Sequence, residues 1–189
     1  MTDTITDTPI VPDFGTETAV APAASGETPP GRKLVIICSK GNLDMAYPAL
    51  VLGSAALGEG IETHLFFTFW GFDMITKGRM DDLKFTMLGN TAMHLVQAPR
   101  MPIPAMMGAI PGMTKVATTM MKKQIDDLEI PEVPDFLEQI VEMGGHLWGC
   151  RMSFDMMKLN EADLFDGVEG IISATDFMEI SEGAQIIFI

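Results

Sequence analysis

From residue 33 onward, apolar and polar positions fall into short alternating blocks. "KLVIIC" (33–38) is an unbroken apolar run with β-branched members, the pattern of a strand buried in a parallel sheet. Residues 43–58 then place Leu43, Tyr47, Leu50, Val51 and Leu57 at helical spacing, and Gly58 and Gly60 end the run. Pro48 sits in the first turns and predicts a helix start near Asp44 or Met45, where a missing N–H costs least. "IETHLFFTFW" (61–70) predicts a second strand, so the block is a βαβ unit with a right-handed crossover.

The middle of the chain is less regular. "GFDMITKG" (71–78) predicts a short helix, "MDDLKFTMLG" (80–89) a second one or a linker, and the Pro- and Met-rich residues 96–111 a loop. Residues 112–128 read as an amphipathic helix, and 134–143 as another, started by Pro134 and Asp135 and ended by Gly144–Gly145. "HLWGC" (146–150) is a strand and "SFDMMKL" (153–159) a short helix. Residues 170–183 read as a helix with Ser173 or Thr175 near its start, with an extra strand near 166–169, and "AQIIFI" (184–189) closes the sheet. Such alternation predicts an α/β fold, a parallel sheet with helices on both faces.

Composition narrows the setting. Residues 1–32, rich in Thr, Pro, Ala and Gly and with five acids, have too little apolar surface to offset ordering entropy and are expected to be a disordered acidic tail. Residues 33–189 are expected to form a single domain. The net charge of −14 disfavours nucleic acid and anionic lipid and suits a cationic partner face. "MTDTITDTPI" lacks the charged and apolar regions of a secretory signal. The longest apolar stretch, 96–113, is broken by four prolines and Arg100, so no membrane span is expected. Two cysteines, Cys38 and Cys150, make no disulfide scaffold; reduced thiols in a cytoplasmic setting fit better.

The candidate chemistry gathers at the carboxyl ends of the strands, where ligands collect in open parallel sheets. Cys150 ends one strand and precedes a helix. First-turn N–H groups there favour an anion, and a thiolate is one. Arg151 adds positive potential, and the N–H groups of Arg151, Met152 and Ser153 are candidate stabilisers, with Ser153 also a candidate helix cap. A packed, unreactive cysteine is the plain alternative. Cys38 follows four apolar residues and is expected in the core; a redox pair with Cys150 needs their Cα atoms within about 7 Å. Ser39, Lys40, Gly41 and Asn42, after the first strand, form a candidate anion loop or a plain turn. No metal is expected: His146 and Cys150 are about 13 Å apart along a strand, and zinc or calcium spacings are lacking. No cofactor is implied either: "GSAALGEG" lacks the Lys-Ser/Thr of a P-loop, and neither G-x-G-x-x-G nor G-x-S-x-G occurs. Among the 17 methionines, Met101, Met106, Met107 and Met113 with Met120 and Met121 predict an apolar contact surface over 96–121, and Met152, Met156 and Met157 surround the cysteine.

Three segments carry a resemblance. "LVIICSKGNLDMAYPALVLGSAALGEGIETHLFFTFWG", "GCRMSFDMM" and "GVEGIISATDFMEISEGAQIIFI" together resemble the DsrE/DsrF-like family, in its larger subgroup of DsrE-type sulfurtransferases, over about residues 32–189. The resemblance implies a flavodoxin-like three-layer α/β sandwich, homo-oligomers, and persulfide carriage on one cysteine in a strand-to-helix loop, which maps onto Cys150. It implies exchange with donor and acceptor proteins, TusA-like or rhodanese-like. No role transfers to Cys38. Lys158 stands where many relatives have glycine, which bears on the local helix end. The subgroup's other label, peroxiredoxin-like, has no T-x-x-C motif behind it here. Two functional expectations follow: a sulfur carrier working through Cys150, or an oligomeric binding module with a Met-rich contact surface and a packed Cys150.

Overall fold

A computed structural model describes residues 31–85, 94–95, 98–102 and 109–189, the two short internal pieces as backbone only. All but two residues of the predicted tail lie outside these ranges, as do Met106 and Met107. The elements are β1 (Lys33–Cys38), α1 (Leu43–Gly58), β2 (Glu62–Phe67), β3 (His94–Leu95), β4 (Ala98–Pro102), α2 (Met113–Asp126), α3 (Val133–Glu142), β5 (His146–Cys150), α4 (Arg151–Met157), β6 (Val168–Ile172), α5 (Ala174–Ile180) and β7 (Gln185–Phe188).

Five strands form one parallel sheet in the order β6-β5-β2-β1-β7. From β1 the chain steps through β2, β5 and β6 in one direction, and right-handed crossovers place the connecting helices on one face. The step back from β6 to β7 reverses direction and puts α5 on the other. The result is the predicted α/β sandwich with unequal layers.

On the first face, alternate residues Leu34, Ile36 and Cys38 of β1, Leu65 and Phe67 of β2, and Leu147 of β5 meet Leu43, Ala46, Ala49 and Leu50 of α1 and Phe136, Leu137 and Ile140 of α3. Each fully buried Leu, Ile or Phe among them contributes roughly 1.5–3 kcal/mol of transfer free energy. Gly53 lets α1 approach the sheet: an added Cβ would sit 3.3 Å from Leu65 Cδ1. On the second face, α5 is seven residues long and lays Phe177 on Phe66, ring centroids 4.5 Å apart. Ile186 and Phe188 of the edge strand β7 remain exposed on that face, Phe188 at 70%.

Several boundaries differ from the expectation. The second strand stops at Phe67; Phe69–Met74 is a 3-10 helix. α1 begins at Leu43 despite Pro48, whose missing N–H leaves only one interior bond unmade. Residues 98–102, expected in a loop, pair with 94–95 as an antiparallel strand. Residues 170–172 are strand, not helix: β6 is Val168–Ile172, and the helix begins only after Ser173 caps it by accepting from the Asp176 N–H. The helix after β5 starts at Arg151, two residues before Ser153.

Candidate functional site

Register builds the site. β2 pairs with β5 so that Phe67 lies opposite Gly149. The next residue on each, Thr68 and Cys150, therefore end neighbouring strands on the same face. Gly149 is required for this packing, since a Cβ there would meet Ile171 Cδ1 at 2.4 Å and Phe72 Cζ at 3.0 Å.

Cys150 is half-buried, a free thiol, and the residue from which α4 starts. Burial pushes its pKa up. The Ser153 N–H, the Thr68 and Ser153 hydroxyls and the Met152 N–H oppose this, and the net effect holds the thiol below its ordinary value of 9.0. The neutral thiol makes no capping hydrogen bond to its own helix. α4 has only seven residues, and its influence comes from first-turn N–H groups rather than from a long dipole.

Ser153 does not cap α4. It lies inside the first turn, fully buried, with its Oγ 3.0 Å from Thr68 Oγ1 and accepting the Phe69 N–H at 2.9 Å. That bond holds Phe69 in a left-handed conformation, φ 45°, which non-glycine residues rarely adopt. Sequence reasoning missed Thr68. Its signal was a lone hydroxyl among aromatics, "FFTFWG", at the end of the strand next to the cysteine's.

Arg151 is turned outward. Its guanidinium lies 5.6 Å from the Phe154 ring centroid, 3.9 Å from Asp155 Oδ1, and donates to the Ile171 carbonyl at 3.3 Å.

Cys38 is 1% exposed, and burial pushes its pKa up to about 12. β2 lies between its strand and that of Cys150, so the two are separated by about two strand spacings, roughly 10 Å. A direct disulfide is beyond reach at that distance. Ser39–Asn42 forms the turn into α1. The Ser39 N–H and hydroxyl both donate to the Ile189 carbonyl, at 2.8 and 2.9 Å, and the Leu43 N–H donates to Lys84 at 2.9 Å. Gly41 and Asn42 line a cleft with Trp70, Asp73, Arg79 and Lys84, but Arg79 is paired with Asp73 and Lys84 with Asp82. Thus two of this loop's donors are already committed.

Below Cys150 on the same sheet face lies a polar cluster. The Trp148 indole N–H donates to His64 Nδ1 at 3.1 Å, so His64 carries its proton on Nε2 and donates to Glu62 at 2.8 Å. His146 stacks on His64 at 4.6 Å and bonds Glu169 at 2.6 Å. Burial, partly offset by Glu62, holds the His64 pKa below its ordinary value. Among the described residues, no group of three or more His, Cys, Asp or Glu is arranged to hold a metal.

The scaffold that carries this thiol recurs in other proteins. The model of the DsrE/DsrF/DrsH-like family matches residues 30–189. The chain belongs to this family. It is 33% identical over 155 residues to the sulfur carrier protein DsrE2 of Allochromatium vinosum, covering 82% of this chain and 96% of that protein. It is 26% identical over 160 residues to YrkE of Bacillus subtilis, an uncharacterised protein, covering 84% and 97%. Two solved structures share the DsrE-like fold: ychN from E. coli (TM-score 0.51, 12% identity) and MTH1491 from Methanobacterium thermoautotrophicum (TM-score 0.50, 8% identity). Each alignment covers 84% of this chain and 99% of the other. In the described residues no helix is long and apolar enough to cross a membrane.

Proposed function

We propose that the protein is a sulfur carrier that holds persulfide sulfur on Cys150. The observation that carries this is the position of Cys150, partly exposed at a strand-to-helix junction beside the Met152 and Ser153 N–H groups and the Thr68–Ser153 hydroxyls, which hold its pKa below the ordinary 9.0. The similarity to a named sulfur carrier points the same way.

The Cys150 thiolate attacks the outer sulfur of a donor persulfide, R–S–SH. The donor's S–S bond breaks, a bond from Cys150 Sγ to the transferred sulfur forms, and R–S⁻ leaves. The proton stays on the transferred sulfur, so the step is an exchange without net redox change. A second thiolate then removes the sulfur in the same way. The N–H groups of Met152 and Ser153, with the one hydroxyl proton of the Thr68–Ser153 pair that their mutual bond leaves free, stabilise the Cys150 thiolate before attack and after release. Donor and acceptor are proteins of TusA-like or rhodanese-like kind, in a reducing cytoplasm that keeps both cysteines free. The thin second face, with Ile186, Phe188 and Met178 exposed, supports assembly as a homo-oligomer.

Intact-mass measurement after incubation with polysulfide tests the reading. Wild type and Cys38→Ser gain whole sulfur atoms that thiol reductant removes; Cys150→Ser gains none. Loading of Cys150→Ser at the wild-type stoichiometry would overturn it, and equal loss in Cys38→Ser would move the site. Light scattering or native mass spectrometry tests the oligomer, and a monomer at micromolar concentration would exclude it.

A further inference from the structure

Thr68, Phe69, Trp70 and Gly71 form an elbow beside Cys150. It is wedged at both ends. An added Cβ on Gly71 would lie 2.0 Å from the Cys38 carbonyl oxygen, and one on Gly41 would lie 2.4 Å from the Trp70 carbonyl oxygen. The Gly71 N–H donates to the Thr68 carbonyl at 2.9 Å, and the Phe69 N–H is bound by Ser153. The backbone is therefore fixed, yet the two aromatic side chains face solvent, Phe69 46% and Trp70 61% exposed. Met152 and Met156 of α4, the helix that starts at the cysteine, are exposed as well. Two adjacent aromatics thus keep in water apolar area that burial against the protein would remove.

We propose that the Phe69–Trp70 elbow, with Met152 and Met156, is the docking surface for a partner protein that presents its sulfur-bearing cysteine on a projecting segment with apolar and Lys or Arg neighbours. The inference rests on the carrier reading above and deepens it. Three observations select this occupant. Cys150 ends β5 and is only partly buried, so a partner can meet the thiol from outside. The rim is apolar and rigid, which lowers the ordering cost of binding and suits a protein anchor. The chain is strongly acidic, with net charge −14, and the one cation next to Cys150 in sequence, Arg151, is matched by Asp155. A basic flank on the partner is attracted to a chain of this net charge, and an acidic one is repelled.

The test uses the full chain, Trp70→Ala and the conservative Trp70→Phe, with three sulfur sources: inorganic polysulfide, a short synthetic peptide with a persulfidated cysteine flanked by Leu and Lys, and its twin with Glu for Lys. Loading of Cys150 is followed by intact mass over time. Wild type takes sulfur from the basic peptide faster than from the acidic twin, and the gap narrows with added salt. Trp70→Ala loses about tenfold in rate from the basic peptide, Trp70→Phe recovers most of it, and both load from polysulfide like wild type. Equal peptide rates in Trp70→Ala and wild type, with polysulfide loading intact, overturn the docking proposal and leave the carrier reading standing. No charge preference overturns the basic partner. A change of oligomeric mass in Trp70→Ala assigns the elbow to a second copy and overturns the proposal. No polysulfide loading of wild-type Cys150 overturns the carrier reading and this inference with it.

Discussion

The Thr68 and Ser153 hydroxyls meet at 3.0 Å between the end of β2 and the first turn of α4, and the proton their mutual bond leaves free lowers the Cys150 pKa. Ser153 Oγ also accepts the Phe69 N–H. One hydroxyl thus couples the nucleophile's acidity to the conformation of the elbow beside it. Ser153→Ala breaks the hydroxyl pair beside the thiol and leaves the partly buried Phe69 N–H unpaired. The expected outcome is a loss of about 1–3 kcal/mol in stability by urea unfolding. Alkylation of Cys150 at pH 7 slows by about three- to tenfold, and its pH profile moves to higher pH. The slowing shrinks or reverses at high pH, where both proteins are thiolate and the more basic sulfur is the better nucleophile. An unshifted profile would remove Ser153 from the site.

Cys38 separates reactivity from mere presence of a thiol. With its pKa pushed up to about 12 by burial, it is protonated at any working pH. Under native conditions iodoacetamide labels one cysteine per chain rapidly, and peptide mapping places it at Cys150. Cys38 labels only on unfolding. Cys38→Ala costs about 1–2 kcal/mol, from lost burial and a small cavity under α1, and leaves sulfur loading intact. Rapid native labelling of Cys38 would contradict its place in the core.

The first half of the fold was legible because β1 and β2 are apolar runs set apart by a long helix with glycine at its end. The cysteine was legible because a polar break followed an apolar strand. What the pattern hid has physical reasons. β6, "VEGII", has a charge and a glycine in an edge strand that sees solvent, so its period looked helical when joined to "ATDFMEI"; the Ser173 cap between them was the usable signal. Thr68 was hidden because its role depends on strand neighbours distant in sequence, β2 beside β5. Ser153 read as a cap because the helix start was placed two residues late, and inside the helix its hydroxyl serves a different element.

The His64–His146 stack makes stability sensitive to acid. The His64 pKa is held below its ordinary value of 6.5, chiefly by burial. The unfolded chain takes up this proton first as pH falls. The contribution is therefore complete above about pH 6.5 and is lost progressively below it, down to the folded-state pKa. The Glu62 pKa is lowered mainly by its bond to His64, and its contribution is lost on further acidification below about 4.5. Both contributions have the same sign. The midpoint of thermal unfolding is expected to fall between pH 7 and pH 5 in wild type and to fall less in His64→Gln. An equal fall in both would assign the acid sensitivity elsewhere.

Lys158 ends α4 in a left-handed conformation, φ 52°, with its N–H on the Asp155 carbonyl at 3.2 Å. This is the position at which helices commonly place glycine, because a Cβ there meets the following carbonyl oxygen. Here the backbone takes the geometry that glycine favours while carrying a lysine side chain. Lys158→Gly relieves the contact but frees the unfolded chain, and the two effects oppose each other. The net expectation is stabilisation by about 0.5–1 kcal/mol, read as an increase in unfolding midpoint in urea with unchanged slope. Sulfur loading stays at the wild-type rate, because the N–H groups that face Cys150 belong to the opposite end of the helix. Destabilisation on this substitution would mean that the lysine side chain holds the helix end by contacts that outweigh its strain.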